Sequence, residues 1–140
     1  MGERCRLAAG MSWDIFVQHL PSSALTVDDI PDDFMPLPLG SRDEVVRAIL
    51  NVFPESNASD PTWLTLETPH YLIDFGLGTD DPVMSLSLHV SGDETVVPHI
   101  SELIDLLGAR AIDSWTGQFF DPETATESLH RWKAYVDENR

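Results

Sequence analysis

Three runs with strand character follow one another between Thr62 and Val90, with only a turn's worth of chain between each and the next. They are Thr62–Glu67, then Tyr71–Leu77 with Tyr71, Ile73, Phe75 and Leu77 alternating, then Val83–Val90 with Met84, Leu86, Leu88 and Val90 alternating. A period of two places one set of side chains on one face of a strand. Thr68-Pro69-His70 and the stretch from Gly78 to Pro82 supply the turns. Strands this close in sequence pair as an antiparallel meander, and that unit restricts the rest of the chain to extending or covering it.

A strand precedes the meander, where Trp13, Ile15 and Val17 alternate with Asp14, Phe16 and Gln18. Leu20 to Gly40 then holds Pro21, Pro31, Pro36 and Pro38. Proline fixes φ and lacks an amide hydrogen, so this stretch is neither regular helix nor central strand. Its Ile30, Phe34, Met35, Leu37 and Leu39 predict a loop draped over the core, with Asp28, Asp29, Asp32 and Asp33 left outside. Ser41 and Glu44 form a capping box, and Val45, Ile49 and Phe53 recur at helical spacing before Pro54, predicting a helix from about Arg42 to Phe53. Thr95 as N-cap starts a second helix carrying Val97, Ile100, Ile104 and Leu107, which Gly108 ends. A strand from Arg110 to about Trp115 follows. Asp121-Pro122 opens a last helix with Ala125, Leu129, Trp132 and Val136 on one stripe. Trp13, Trp63, Trp115 and Trp132 all lie on periodic segments and read as core or rim packing.

The predicted order is βα-βββ-αβ-α, an α+β fold with a single mostly antiparallel sheet and about three helices packed on one face. Met1 to Gly10 offers no periodic apolar face and reads as an extension, which leaves one domain over 11–140. At 140 residues and 42% hydrophobic, the chain can bury one core.

Charge narrows the function. Between Leu7 and Phe120 there are 18 Asp and Glu against Arg42, Arg47 and Arg110, a balance of −15. Such a field repels nucleic acid and anionic membranes and attracts a basic protein. The lone Cys5 excludes an intramolecular disulfide and any multi-cysteine metal site, which fits a reducing compartment. No stretch has the run of apolar residues that a membrane span needs. A cytoplasmic location is expected, with no nucleic-acid or membrane partner.

The motifs that could carry chemistry are sparse. Asp74-Phe75-Gly76 copies the kinase metal-binding triplet, but the chain is too short for a kinase and has no HRD loop. His19, His70, His89, His99 and His130 lack the i, i+4 spacing of helical zinc ligands, and the aspartate clusters lack the ligand spacing of a calcium loop. No metal and no cofactor is expected. One face of the meander is more informative: if Met84, Leu86, Leu88 and Val90 point to the core, Ser85, Ser87 and His89 point away, and Asp74 can join them from the neighbouring strand. Ser, His and Asp together are the raw material of a nucleophilic triad. A mid-strand serine, however, lacks the strained elbow and free amides that stabilise an oxyanion, so no catalytic residue is assigned.

Ser12-Trp13-Asp14-Ile15-Phe16-Val17-Gln18, together with Leu107-Gly108-Ala109-Arg110-Ala111-Ile112-Asp113 and Thr116-Gly117-Gln118 beyond, resembles small acidic bacterial α+β proteins. Some proteins of this size and acidity serve as immunity partners of secreted toxins. The resemblance implies a non-catalytic binding protein; the acidic field points to a basic protein partner, and Asp28, Asp29, Asp32 and Asp33, in a loop too long and too proline-rich to be mere connection, are its candidate contact. Two readings compete with it. One is a small-molecule-binding or hydrolytic domain using the sheet face around Asp74, Ser87 and His89. The other is a self-associating structural protein.

Overall fold

A computed structural model describes residues 12–139, so the extension expected over Met1 to Gly10 and the lone Cys5 lie outside the described residues. The expected α+β class is present: six antiparallel strands in one open sheet, with three α-helices. The strands are β1 (Trp13–Gln18), β2 (Trp63–Glu67), β3 (Tyr71–Gly76), β4 (Leu86–Gly92), β5 (Arg110–Asp113) and β6 (Gln118–Phe119). The helices are α1 (Arg42–Val52), α2 (Val97–Leu106) and α3 (Pro122–Glu138). Across the sheet the order is β2-β3-β4-β1-β5-β6. The meander forms as expected, while β1 sits beside β4 on one side and β5 on the other.

Register explains the two faces. Ile15 lies opposite both Leu88 and Asp113, Phe75 opposite both Leu64 and Leu88, and Ile73 opposite Leu66 and Val90. Because side chains alternate along a strand, these residues share one face with Trp13, Val17, Leu86 and Ala111. That face is buried and joins the stripes Val45 and Ile49 of α1, Ile100, Leu103 and Ile104 of α2, and Ala125, Leu129, Trp132 and Val136 of α3 in a single core. Two buried polar residues, Asp113 and Ser128, belong to this core. Asp113 accepts from the Trp13 indole Nε1 at 3.2 Å, the Trp115 amide at 2.9 Å and the Ser128 hydroxyl, so its buried carboxylate is supplied with donors.

Several boundaries differ from expectation, each for a visible reason. The strand expected from Val83 begins at Leu86, because Val83 exchanges backbone bonds with the end of the Pro-rich loop: its amide donates to Gly40 O, and its carbonyl accepts from the Leu39 amide, both at 2.8 Å. Met84, expected in the core, is consequently 40% exposed. Thr95 does not cap the second helix: the Asp93 carboxylate accepts from the Thr95 amide at 3.0 Å and caps a 3₁₀ turn, Glu94–Val96, that runs directly into α2, whose own N-cap, Val96, has no capping side chain. The strand from Arg110 stops at Asp113 because Gly117, at φ +73°, turns the chain into β6, a strand too short to leave a period in the sequence. The observed order is therefore βα-βββ-αββ-α.

The long loop corrects the sequence reading most. Among the residues expected to cover the core, only Leu39 is buried, whereas Met35 and Leu37 are 81% and 71% exposed and Leu25 is 87% exposed. The loop is anchored instead by bonds at its ends. Arg110 donates to the carbonyls of Pro21 and Ala24 at 2.7 and 2.8 Å while stacking over Phe119 at 3.6 Å, and His19 bridges Leu37. At the far side of the sheet, Arg42 fastens the entry to β2 and the turn after β3 by donating to Pro61 O, Gly78 O and Asp80 O at 2.8–3.0 Å.

Trp132 is 5% exposed, and its indole N–H is buried without an acceptor. Trp132→Ala is expected to cost roughly 2 to 4 kcal/mol, slightly under the usual large-to-small penalty, because it also removes that unpaired donor. Denaturant unfolding of the variant checks this; a loss under about 1 kcal/mol would mean that α3 contributes little to the core.

Candidate functional site

The sheet face opposite the core carries no helix among the described residues. Alternation alone decides what stands on it: every residue between two core-facing neighbours points outward. In register across four strands, Thr65, Asp74, His89 and Asp14 form one row, and Trp63, Gly76, Ser87 and Phe16 form the next. The structure thus brings Asp74, Ser87 and His89 to one face, where the sequence placed them. It adds Asp14, Phe16 and Trp63, which the sequence reading did not assign to a site. Asp14 was detectable by parity, since it alternates with Trp13 and Ile15. What local pattern does not supply is that β1 lies beside β4.

The partners differ from those suggested by sequence. The His89 Nδ1 bonds to the Asp14 carboxylate at 2.9 Å, not to Asp74, and both side chains are about three-quarters buried. Trp63 reaches from β2 across Gly76 on β3 to stack on the His89 ring, with centroids 5.6 Å apart and planes 19° from parallel. Gly76 is what permits this crossing: a Cβ there would sit 2.5 Å from Ser87 Oγ and 3.0 Å from the Trp63 ring. Ser87 Oγ donates weakly, at 3.4 Å, to the Gly76 carbonyl. Among the described residues no hydroxyl bonds to His89, so Ser87 and His89 do not form the nucleophile–base contact of a triad.

Two carboxylates flank one imidazole, and their surroundings push them in opposite directions. Burial raises the Asp14 pKa, but hydrogen bonds from His89 and Ser12 outweigh it, and the net shift is downward. Asp74 is raised, chiefly by burial, with only the charge of His89 opposing. It is 8% exposed and makes no hydrogen bond among the described residues. His89 is raised above its ordinary value of 6.5, first by the Asp14 hydrogen bond, against the opposing effect of burial, and further by the charges of Asp14 and Asp74.

The acidic loop residues behave unequally. Asp28, Asp32 and Asp33 are exposed and have no bonded partner among the described residues. Asp29 is structural: its carboxylate accepts from the amides of Leu25 and Thr26 at 3.0 Å, closing the turn Val27–Asp29, and these bonds lower its pKa. The hollow beside Leu39 at the end of this loop, about 340 Å³, is lined by Glu44, Arg47, Asn51 and Leu106 and does not reach His89. Among the described residues no cluster of three or more His, Cys, Asp or Glu is arranged to hold a metal ion, and no helix is long and apolar enough to cross a membrane. No family model, curated protein or solved structure matches the chain.

The sign of the pH dependence follows from these shifts. His89, raised above 6.5, contributes stability that is complete below that pH and is lost as pH rises through its folded pKa. Asp74, also raised, loses stability in the same direction from 3.8 upward, whereas Asp14, lowered, loses it only as pH falls below that value. Stability should therefore peak on the acid side of neutrality. In Asp14→Asn the His89 titration, followed by NMR, should move downward and the loss of stability above pH 6.5 should shrink. An unmoved His89 titration would show that Asp14 does not set its charge.

Proposed function

We propose that this protein is a non-catalytic binding protein that takes a basic protein partner, neutralisation of a toxin being one concrete form. The observation that carries the reading is where the cations go. Of the three arginines within the acidic body, Arg42 and Arg110 direct their guanidinium groups at backbone carbonyls, fastening loops rather than pairing with carboxylates. The acids left without a partner among the described residues include Asp28, Asp32 and Asp33, on the loop that also exposes Leu25, Met35 and Leu37. Carboxylates alone would serve solubility. Large apolar side chains displayed among them do not, and their combination suits a basic surface with an apolar centre. The hydrolytic alternative has no comparable support, since Ser87 and His89 share a face without a bond between them.

The test uses a variant in which Asp28, Asp32 and Asp33 become asparagine and Asp29, which holds the turn, is kept. A basic protein recovered from host extract at low salt should bind the parent with a rate that falls steeply as ionic strength rises. The triple variant should associate more slowly, by about tenfold at low salt, with an unchanged melting temperature because exposed charges add little stability. Equal rates for parent and variant would remove the loop from the contact.

A further inference from the structure

Asp74 is anomalous in this fold. A carboxylate buried this deeply is ordinarily supplied with hydrogen-bond donors, as Asp113 is on the other face. Asp74 has none among the described residues, although 92% of the residue is removed from solvent and His89 is its cross-strand neighbour. The imidazole is committed through Nδ1 to Asp14 on its other side. Beside them lies Trp63, packed on His89 by one ring face and still 43% exposed. Thr65, the neighbour of Asp74 on β2, brings no charge. The face therefore combines a carboxylate that no described residue claims and an accessible indole in a strongly acidic chain.

Resting on the reading of the protein as a binder of basic partners, we propose that Asp74 and Trp63 form a receptor for one arginine side chain of that partner. A guanidinium is planar and stacks on an indole while its paired N–H groups reach a carboxylate side by side; an ammonium offers neither the plane nor the fork. The same sheet face already uses half of this arrangement internally, where the Arg110 guanidinium lies over the Phe119 ring at 3.6 Å. The incoming cation would bring the donors that Asp74 lacks. Phe16, 41% exposed in the row beside Asp74, extends the apolar border of the contact.

The experiment compares two synthetic peptides of equal length and charge, an arginine octamer and a lysine octamer, binding to the full chain by calorimetry at fixed low salt. The parent should prefer the arginine peptide by about tenfold, the scale of one charge-assisted hydrogen bond. That peptide should also shift the Trp63 indole resonance. Asp74→Asn should bring the two affinities together and abolish the Trp63 shift, and Trp63→Ala should remove the preference independently. The variant lacking Asp28, Asp32 and Asp33 should weaken both peptides alike while keeping the preference. If both peptides bind the parent equally and Asp74→Asn changes nothing, the arginine receptor is wrong while a general affinity for basic partners stands. If neither peptide binds, both readings fall.

Discussion

The Asp113 carboxylate, buried beneath the sheet, is the interaction on which the arrangement of the fold turns. Leaving such a charge in a core without donors would cost several kcal/mol, so the chain must bring donors to it. The three it brings come from three places: the Trp13 indole on β1, the Trp115 amide in the hairpin after β5, and the Ser128 hydroxyl on α3. Satisfying them together sets how β1 lies against β5 and where α3 crosses the core. With α1, α2 and α3 gathered on that side, the opposite face of the sheet keeps its polar and aromatic row.

The same residue type has an opposite fate one layer away. Asp14 and Asp74 stand on either side of His89 at equivalent positions of neighbouring strands. Asp14 collects donors from His89 and Ser12 and is held ionised; Asp74 collects none among the described residues and is pushed toward its neutral form. Burial pushes both upward, and at Asp14 the hydrogen bonds reverse that push. An aspartate on a sheet is thus not a fixed quantity of charge but a property of the two strands beside it.

Much of this was legible in the sequence where the information is local. Alternation in β3 and β4 placed Asp74, Ser87 and His89 on one face, the capping box at Ser41 and Glu44 started α1, and Asp121-Pro122 started α3. What failed was non-local. The bond between His89 and Asp14 depends on β1 pairing with β4, and these strands are far apart in sequence. The stacking of Trp63 on His89 depends on a glycine in the strand between them. Asp113 shares the parity of Ala111, a core-facing position, yet only the presence of Trp13 and Ser128 makes a carboxylate tolerable there. In the Pro-rich loop, apolar composition suggested burial, but prolines hold that chain away from the core and leave Met35 and Leu37 in solvent.

The antiparallel bridge between Asn57 and Thr65 has a meaning for how this sheet can be approached. An edge strand with free amides recruits an extended segment from another chain, the commonest route by which sheets grow or aggregate. Here the amides of Trp63 and Thr65 are already donated to Asp60 O and Asn57 O at 3.1 and 3.3 Å, and at the far side β6 is only two residues long, with the Gln118 amide donated to Thr116 Oγ1 at 3.1 Å. Each border therefore leaves little free backbone for an invading strand. Anything approaching this sheet consequently meets the side chains of its broad surface, where sequence can be read, before it meets backbone, where it cannot.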